Sequence, residues 1–440
     1  MIMTIAAIQL LMAFGSHYSK HSHLVRPLAD DGIVWGGLLV PLVIFAKSCN
    51  ELDAFDLWQT CVAMSWSFTF ALLGKRWWIP GIAGMGILGY TSTPQHTLLM
   101  VAASGAQHIV MHKIIHWVPR SFTLGEAAVI AQGLVLMTID LFTGHENVSD
   151  GQTMNLLVLE ATALWLTLTI VILRHMRSIA VLIMPIPGIV LLVAMIARVN
   201  VISWAIKTVL NEPINYIIIG YWGMVLAGGL VFYNQYRRST STKLILHLKR
   251  KAFHILAVLL FVPGFTNPLL LYLGFTVALV LFVWVEAIRV LAIEPGASSI
   301  NQFMSQFTDS RDAGSIITSH FYLLLGCALP VWIGSSSVVA SLAGVLALGI
   351  ADTAASLVGI RYGTRRWPHT CKTFEGTTAF IVSLFIAVEL VHIVVPSGEG
   401  ALLNSIMCVV LGLLEALTEQ NDNLIIPLTM YSISTLINKM

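Results

Sequence analysis

Residues 377–396 read TTAFIVSLFIAVELVHIVVP, twenty positions with Glu389 as the single formal charge. A run of about 20 apolar residues is what an α-helix needs to cross a bilayer. Just before it, residues 352–376 read DTAASLVGIRYGTRRWPHTCKTFEG and carry carboxylates, arginines, a lysine and spaced glycines. Such groups are costly beside lipid, so a polar island at the end of an apolar span is a functional-site hypothesis by default.

The rest of the chain has the same character. Its 440 residues are 57% hydrophobic and 10% charged, with mean hydropathy +0.83. Soluble domains carry about 25% charged residues, so the composition predicts an all-α, polytopic integral membrane protein, helical because lipid offers no partner to an open backbone amide. Apolar runs near 33–46, 56–74, 79–92, 126–143, 153–174, 179–197, 213–234, 252–265, 268–290, 316–333, 337–350, 377–396, 401–417 and 424–437 give an expectation of roughly 13–15 transmembrane helices. The opening run 1–14 lacks a basic flank and reads as a first membrane segment rather than a cleaved signal.

A net charge of +2 is too small to imply a nucleic-acid partner, and five scattered cysteines with no CxxC pair argue against a disulfide framework or a zinc site. Asn147-Val148-Ser149 is a glycosylation sequon, meaningful only on a lumenal loop. Gly84, Gly86 and Gly89 match GxGxxG formally, but no strand precedes them, so they read as helix packing. His108, His112 and His116 share a helical face without a carboxylate or cysteine to complete a metal set; with Lys113 and Trp117 they read as an interfacial helix.

The chain divides near residue 234. Residues 1–234 form an N-terminal transmembrane region without catalytic spacing, and 235–440 a C-terminal catalytic domain. In the second part the loops alternate. Those at 265–267, 334–337 and 396–400 hold no Lys or Arg, whereas 237–251 and 352–376 are basic, 294–314 carries Arg311, and 418–423 follows by parity. Positive charge marks the cytoplasmic side, so four polar loops are expected to meet at one cytosolic surface.

In 352–376, Asp352, Ala355 (or Ser356) and Gly359 fall on one helical face. Gly359 and Gly363 allow tight backbone, and Arg365, Arg366 and Lys372 offer charge to phosphate oxygens. Thr373, Gly376 and Thr377 stand where a span begins, and amides there can hold an anion. A basic cytosolic loop with small-residue helix packing is the plain alternative. In 415–427, Glu415, Thr418, Glu419, Asp422 and Asn423 are hard oxygen donors that suit Mg²⁺, though Asp and Asn also cap helices. Arg311 beside Asp312 reads either as nucleotide-orienting or as a solvated loop with a cap. Lys251 and His254, one turn apart, can hold phosphate or merely mark a cytosolic helix end, and Glu286 reads as an interhelical hydrogen-bond partner. There is no P-loop motif.

These residues resemble the dolichol kinases, a family of CTP-dependent polyprenol kinases of the endoplasmic reticulum. The family pattern D-x-x-A-x-x-x-G-x-x-x-G followed by W-P-x-x-K-K-T-x-E-G is met by Asp352, Ala355, Gly359, Gly363, Trp367, Pro368, Lys372, Thr373, Glu375 and Gly376. A second pattern is met by Glu415, Ala416, Thr418, Gln420, Asp422, Asn423, Leu424, Pro427 and Leu428. Arg250 to His254, Arg311-Asp312 and Tyr322 to Gly326 are also similar to the family, and the resemblance covers roughly 247–430. Cys371 departs from it, standing where the family has the first of two lysines.

The resemblance implies transfer of the γ-phosphate of CTP to dolichol on the cytosolic face of the endoplasmic reticulum membrane, supplying the lipid carrier of N-glycosylation. It implies catalytic roles for Asp422, Asp352 and Lys372, and a divalent cation, Mg²⁺, on Asp352, Asp422 and Glu375. Nucleotide contacts are implied at Ala355, Gly359, Gly363, Arg365, Arg366, Trp367, Lys372, Thr373, Glu375, Gly376, Gln420, Asn423 and Arg311. The competing expectations are a kinase of diacylglycerol or phytol, a cytidylyltransferase making a CDP-lipid, and a transporter, for which Asp140, Glu160, Lys207 and Glu389 lie within apolar runs.

Overall fold

A computed structural model describes residues 24–26, 30–49, 55–73, 93–143, 153–164, 201–236, 243–308, 310–312, 314–368, 370–396 and 400–439. The expected spans near 79–92 and 179–197, the glycine motif at 84–89, the sequon and the run 1–14 lie outside them. The described residues are helical and form no strand, only an isolated bridge between Arg366 and Thr373.

The N-terminal helices are α1 (Ile33–Ser48), α2 (Phe55–Leu73), α3 (Pro94–Trp117), α4 (Leu124–Thr143), α5 (Thr153–Leu164), α6 (Val201–Leu210) and α7 (Pro213–Tyr236). The C-terminal ones are α8 (Lys243–Gly264), α9 (Pro268–Val290), α10 (Gly296–Met304) and α11 (Ser319–Ile333). A short turn α12 (Val338–Ser341) leads into a π-helix, Val345–Asp352. It continues as α13 (Thr353–Tyr362), and α14 (Phe374–Val394), α15 (Ala401–Leu417) and α16 (Asp422–Ile437) complete the chain. Six helices among the described residues are long and apolar enough to cross a membrane, and α1, α5, α11 and α15 are shorter apolar ones. The chain is an all-α polytopic membrane protein.

One of the six is α3, which the sequence reading makes interfacial. Its 24 residues reach bilayer length despite the three histidines, and His112 stacks on His116 at 3.9 Å. Another difference is α10, an extra helix inside the loop 294–314.

The core is built around α16, whose residues from Asp422 to Ser432 are all buried. Tyr322, Phe380, Leu384, Met407, Ile426 and Tyr431 share that core with Leu39, Val43 and Val129 of α1 and α4. Backbones come close where side chains are missing: a Cβ on Gly326 would stand 2.1 Å from the Asn423 carbonyl. The π-helix ends on Asp352. Such i→i+5 segments are rare and recur at functional sites; here it seats Gly349 against Val258 of α8, where a Cβ would lie 2.1 Å from Val258 Cγ2.

Candidate active site

The four polar islands converge. Lys251 of α8 donates to Asp352 at the end of the π-helix, and His254 Nε2, one turn on, lies 3.3 Å from the same carboxylate oxygen. Arg311 Nη1 donates to Asp422 Oδ1 at 2.7 Å. Lys372 donates to Glu415 and stands 3.5 Å from Asp422 Oδ2. These residues come from all four of 237–251, 294–314, 352–376 and 415–427. Burying three carboxylates is costly unless each is paired, and each has at least one cation.

Asp352, Glu415 and Asp422 are buried and each offers an oxygen within 4.8 Å of the others. Hard carboxylate donors this close suit a divalent cation of the Mg²⁺ kind, which is shared with substrate phosphates rather than caged by protein. Glu375 lies outside this trio. Its carboxylate accepts from the Thr364 and Arg365 amides and the Thr364 hydroxyl, so it organises the loop before α14. Glu415 holds the position toward the cluster that the sequence reading gives to Glu375.

Residues 363–368 and 370–374 pair back on one another as the two arms of a small hairpin. Trp367 N–H donates to the Lys372 carbonyl at 3.0 Å, and Phe374 N–H to the Arg365 carbonyl at 2.9 Å. The Trp367 ring stacks on Phe374 at 4.0 Å and its Nε1 donates to Thr377 Oγ1 at 3.0 Å. Trp367 therefore closes the hairpin, whose outer edge leaves Arg365, Arg366 and Cys371 exposed while Lys372 turns inward. The amide of Gly376 is already taken by Thr373 Oγ1 at 3.1 Å, so it does not offer itself to an anion.

The small residues among the expected nucleotide contacts lie where α13 packs against the start of α14. A Cβ on Gly359 would meet Thr373 Oγ1 at 3.0 Å; one on Gly363 would meet Thr373 Cγ2 at 2.7 Å; one on Gly376 would meet the Ala355 carbonyl at 3.0 Å. Close approach of α13 and α14 through these positions brings Asp352 and Lys372 to one place. Asp312 takes the capping role left open by the sequence. It accepts from the amides of Thr318 and Ser319 at 2.9 and 3.1 Å at the start of α11, while its neighbour Arg311 reaches the cluster. Glu286 accepts from Arg289 and, at 2.7 Å, from the Ile317 amide, tying α9 to the loop before α11.

A second network holds loop 418–423 from the N-terminal side. Thr123 and Glu126 form a reciprocal capping box at the start of α4. Glu126 Oε1 also accepts from buried Arg26 at 2.6 Å and from the Asn421 amide at 3.1 Å. Gln420 bonds to Thr123 and to Asp30 rather than facing the carboxylate cluster. Gly32, at φ +65°, is required here twice over, because a Cβ would also fall 2.5 Å from Gln420 Oε1. Asn421 caps α16 through the Asn423 amide, so this network sets where Asp422 stands.

The structure thus brings Asp352, Lys372, Asp422 and Arg311 to one place. Lys251 and His254 read from the sequence as a phosphate-holding pair or a helix end, and no periodicity announces the pairing of Lys251 with Asp352 across 101 residues. Loop 363–373 lies outside the spans, and the Lys372 ammonium is well placed to stay charged. Burial pushes it down, but Asp422, Glu415 and Asp352 outweigh that and hold its pKa above the ordinary 10.5.

The dolichol kinase family model matches residues 108–323. The Arabidopsis thaliana dolichol kinase EVAN is 40% identical over 243 residues, 52% of this chain and 42% of that protein. The human dolichol kinase is 36% identical over 255 residues (52% and 47%), and that of Saccharomyces cerevisiae 32% over 239 residues (52% and 43%). The matched parts thus cover under half the length of these curated relatives. No solved structure matches. By these similarities the chain resembles the dolichol kinases over about half its length.

Proposed function

We propose that this protein transfers the γ-phosphate of CTP to the terminal hydroxyl of dolichol, at the cytosolic face of the endoplasmic reticulum membrane, giving dolichyl phosphate and CDP. The observation that carries the reading is the buried meeting of Asp352, Glu415 and Asp422 with Lys251, Lys372 and Arg311 at one end of an apolar bundle. Phosphoryl transfer asks mainly for positioning and charge neutralisation. Lys372 and Arg311 neutralise charge that grows on the transferred group. Asp422, oriented by Arg311, accepts the hydroxyl proton as the new O–P bond forms and the bond from the γ-phosphorus to the β–γ bridging oxygen breaks. Asp352, Glu415 and Asp422 would hold Mg²⁺, which when bound neutralises and orients the triphosphate.

CTP as donor and dolichol as acceptor are supported by the family alone. Membranes containing the full-length protein, incubated with CTP labelled either on the γ-phosphate or on the cytidine and with a panel of dolichol, diacylglycerol and phytol, test both. γ-Label on dolichol is expected. Cytidine label on lipid, or γ-label on another alcohol only, overturns the reading.

A further inference from the structure

Beside the charged cluster lies a cavity of about 480 Å³ between α8, α9, α10 and α11. Its wall is mostly apolar and aromatic. Phe253 meets Phe307 edge-on at 4.8 Å, Phe303 lies 5.2 Å from Phe307, and Ile300 of α10 faces the same space. Two of its lining residues, His254 and Asn423, belong equally to the charged site: His254 lies 3.3 Å from Asp352, and Asn423 follows Asp422 on α16. At the other side Phe282 and Val285 line the cavity and are both 37% exposed on α9, a helix of membrane-crossing length. The cavity therefore runs from bilayer-facing surface to the carboxylate cluster.

We infer that it holds the hydroxyl-bearing end of a polyisoprenoid alcohol, admitted sideways from the bilayer past Phe282 and Val285. The inference rests on the kinase reading for the nature of the alcohol. A mainly apolar corridor with a few polar side chains, His254 and Asn423 among them at the charged site, suits a chain ending in one hydroxyl. A nucleobase would need several convergent hydrogen-bond partners, and the cavity wall offers few. Its volume falls within the about 300–1,000 Å³ of small-molecule pockets, far below that of a whole polyisoprenoid tail. Only the first isoprene units are enclosed, with the remainder in lipid, so recognition concentrates on the head of the chain. The hydroxyl end then reaches the carboxylate cluster past His254 and Asn423.

The test uses full-length protein in membranes, steady-state kinetics, and a polyisoprenoid alcohol bearing a photoreactive diazirine on its first isoprene unit. Ile300→Trp narrows the cavity and is expected to raise the KM for the alcohol about tenfold, equivalent to ~1.4 kcal/mol of binding, with the KM for CTP unchanged. Met224→Trp, on the exposed face of α7, is expected to leave both unchanged. Cross-links are expected in α8 and α10, at Phe253, Ile300 or Phe303. An active enzyme whose alcohol KM ignores Ile300→Trp, with cross-links elsewhere, overturns the inference. Cross-linking needs no turnover, so a protein that phosphorylates no alcohol yet labels these helices sinks the kinase reading and keeps the groove.

Discussion

Arg311 and Asp422 stand 2.7 Å apart although 111 residues separate them, and this contact joins the loop before α11 to the first turn of α16. Asp422 also faces Lys372 at 3.5 Å, so one buried carboxylate is oriented by two cations from different islands. Arg311→Ala is expected to lower kcat by about 10²–10³, the scale of losing one donor aimed at developing charge. Arg311→Lys keeps the charge but not the planar fork and should recover only part of that loss. Labelled-CTP assays on membranes with equal protein content check this; full activity in Arg311→Ala would remove Arg311 from the site.

Glu415 and Glu375 make a matched pair for locating the cation. Glu415→Gln removes one of three clustered oxygens and is expected to raise the Mg²⁺ concentration for half-maximal activity by about 10–100-fold. Glu375→Gln is expected to leave that midpoint unchanged and to loosen the hairpin instead, since its carboxylate bonds Thr364 and Arg365. Mg²⁺ titrations, with limited proteolysis at 363–373, separate the two. The reverse pattern would put Glu375 on the metal.

Membrane class and helix positions were legible because the bilayer imposes one length and one polarity: the run at 268–290 coincides with α9. Helix α3 was less so, since His108, His112, His116 and Lys113 dilute its hydropathy to 1.3. Alternating loop charge was enough to expect four islands at one surface. It could not say which cation meets which carboxylate, because pairings such as Lys251 with Asp352 are fixed by helix packing and leave no local trace. Small residues are ambiguous for the opposite reason. Gly359 and Gly363 have the same signature whether they make room for a ligand or for Thr373, and here Thr373 fills the space. Similarly, α4 carries a legible capping box, but nothing in it foretells that Glu126 also accepts from Asn421.

That second role of Glu126 makes the N-terminal half a support for the catalytic loop. Arg26 and Glu126 have side chains only 1% and 4% exposed, so Glu126→Ala strands a buried guanidinium, at a cost of about 3–5 kcal/mol. Replacing both with apolar residues, Arg26→Met with Glu126→Leu, is expected to restore most of the thermal stability. Activity should stay low, because the Asn421 amide still lacks its acceptor and Asp422 shifts with it. Melting in detergent, read beside kcat, distinguishes the cases. Recovery of both together would make the pair structural only.

Lys372 predicts how the site behaves in alkali. Its pKa is raised above 10.5 because three carboxylates outweigh the effect of burial. A lysine raised on folding contributes its stability in full below its unfolded value, about 10.4, and loses it as pH climbs through the folded value. No Lys372-dependent loss of stability is therefore expected between pH 7 and pH 10, and the gap in melting temperature between wild type and Lys372→Met should narrow only at higher pH. Competitive acylation gives the titration directly. The Lys372 profile should have its midpoint above 10.5 in the wild type and lower in Asp422→Asn, which removes one of the charges holding it up. A wild-type midpoint at or below 10.5 would mean that Lys372 does not sit among ionised carboxylates, and the cluster would lose the cation proposed to meet the transferred phosphate.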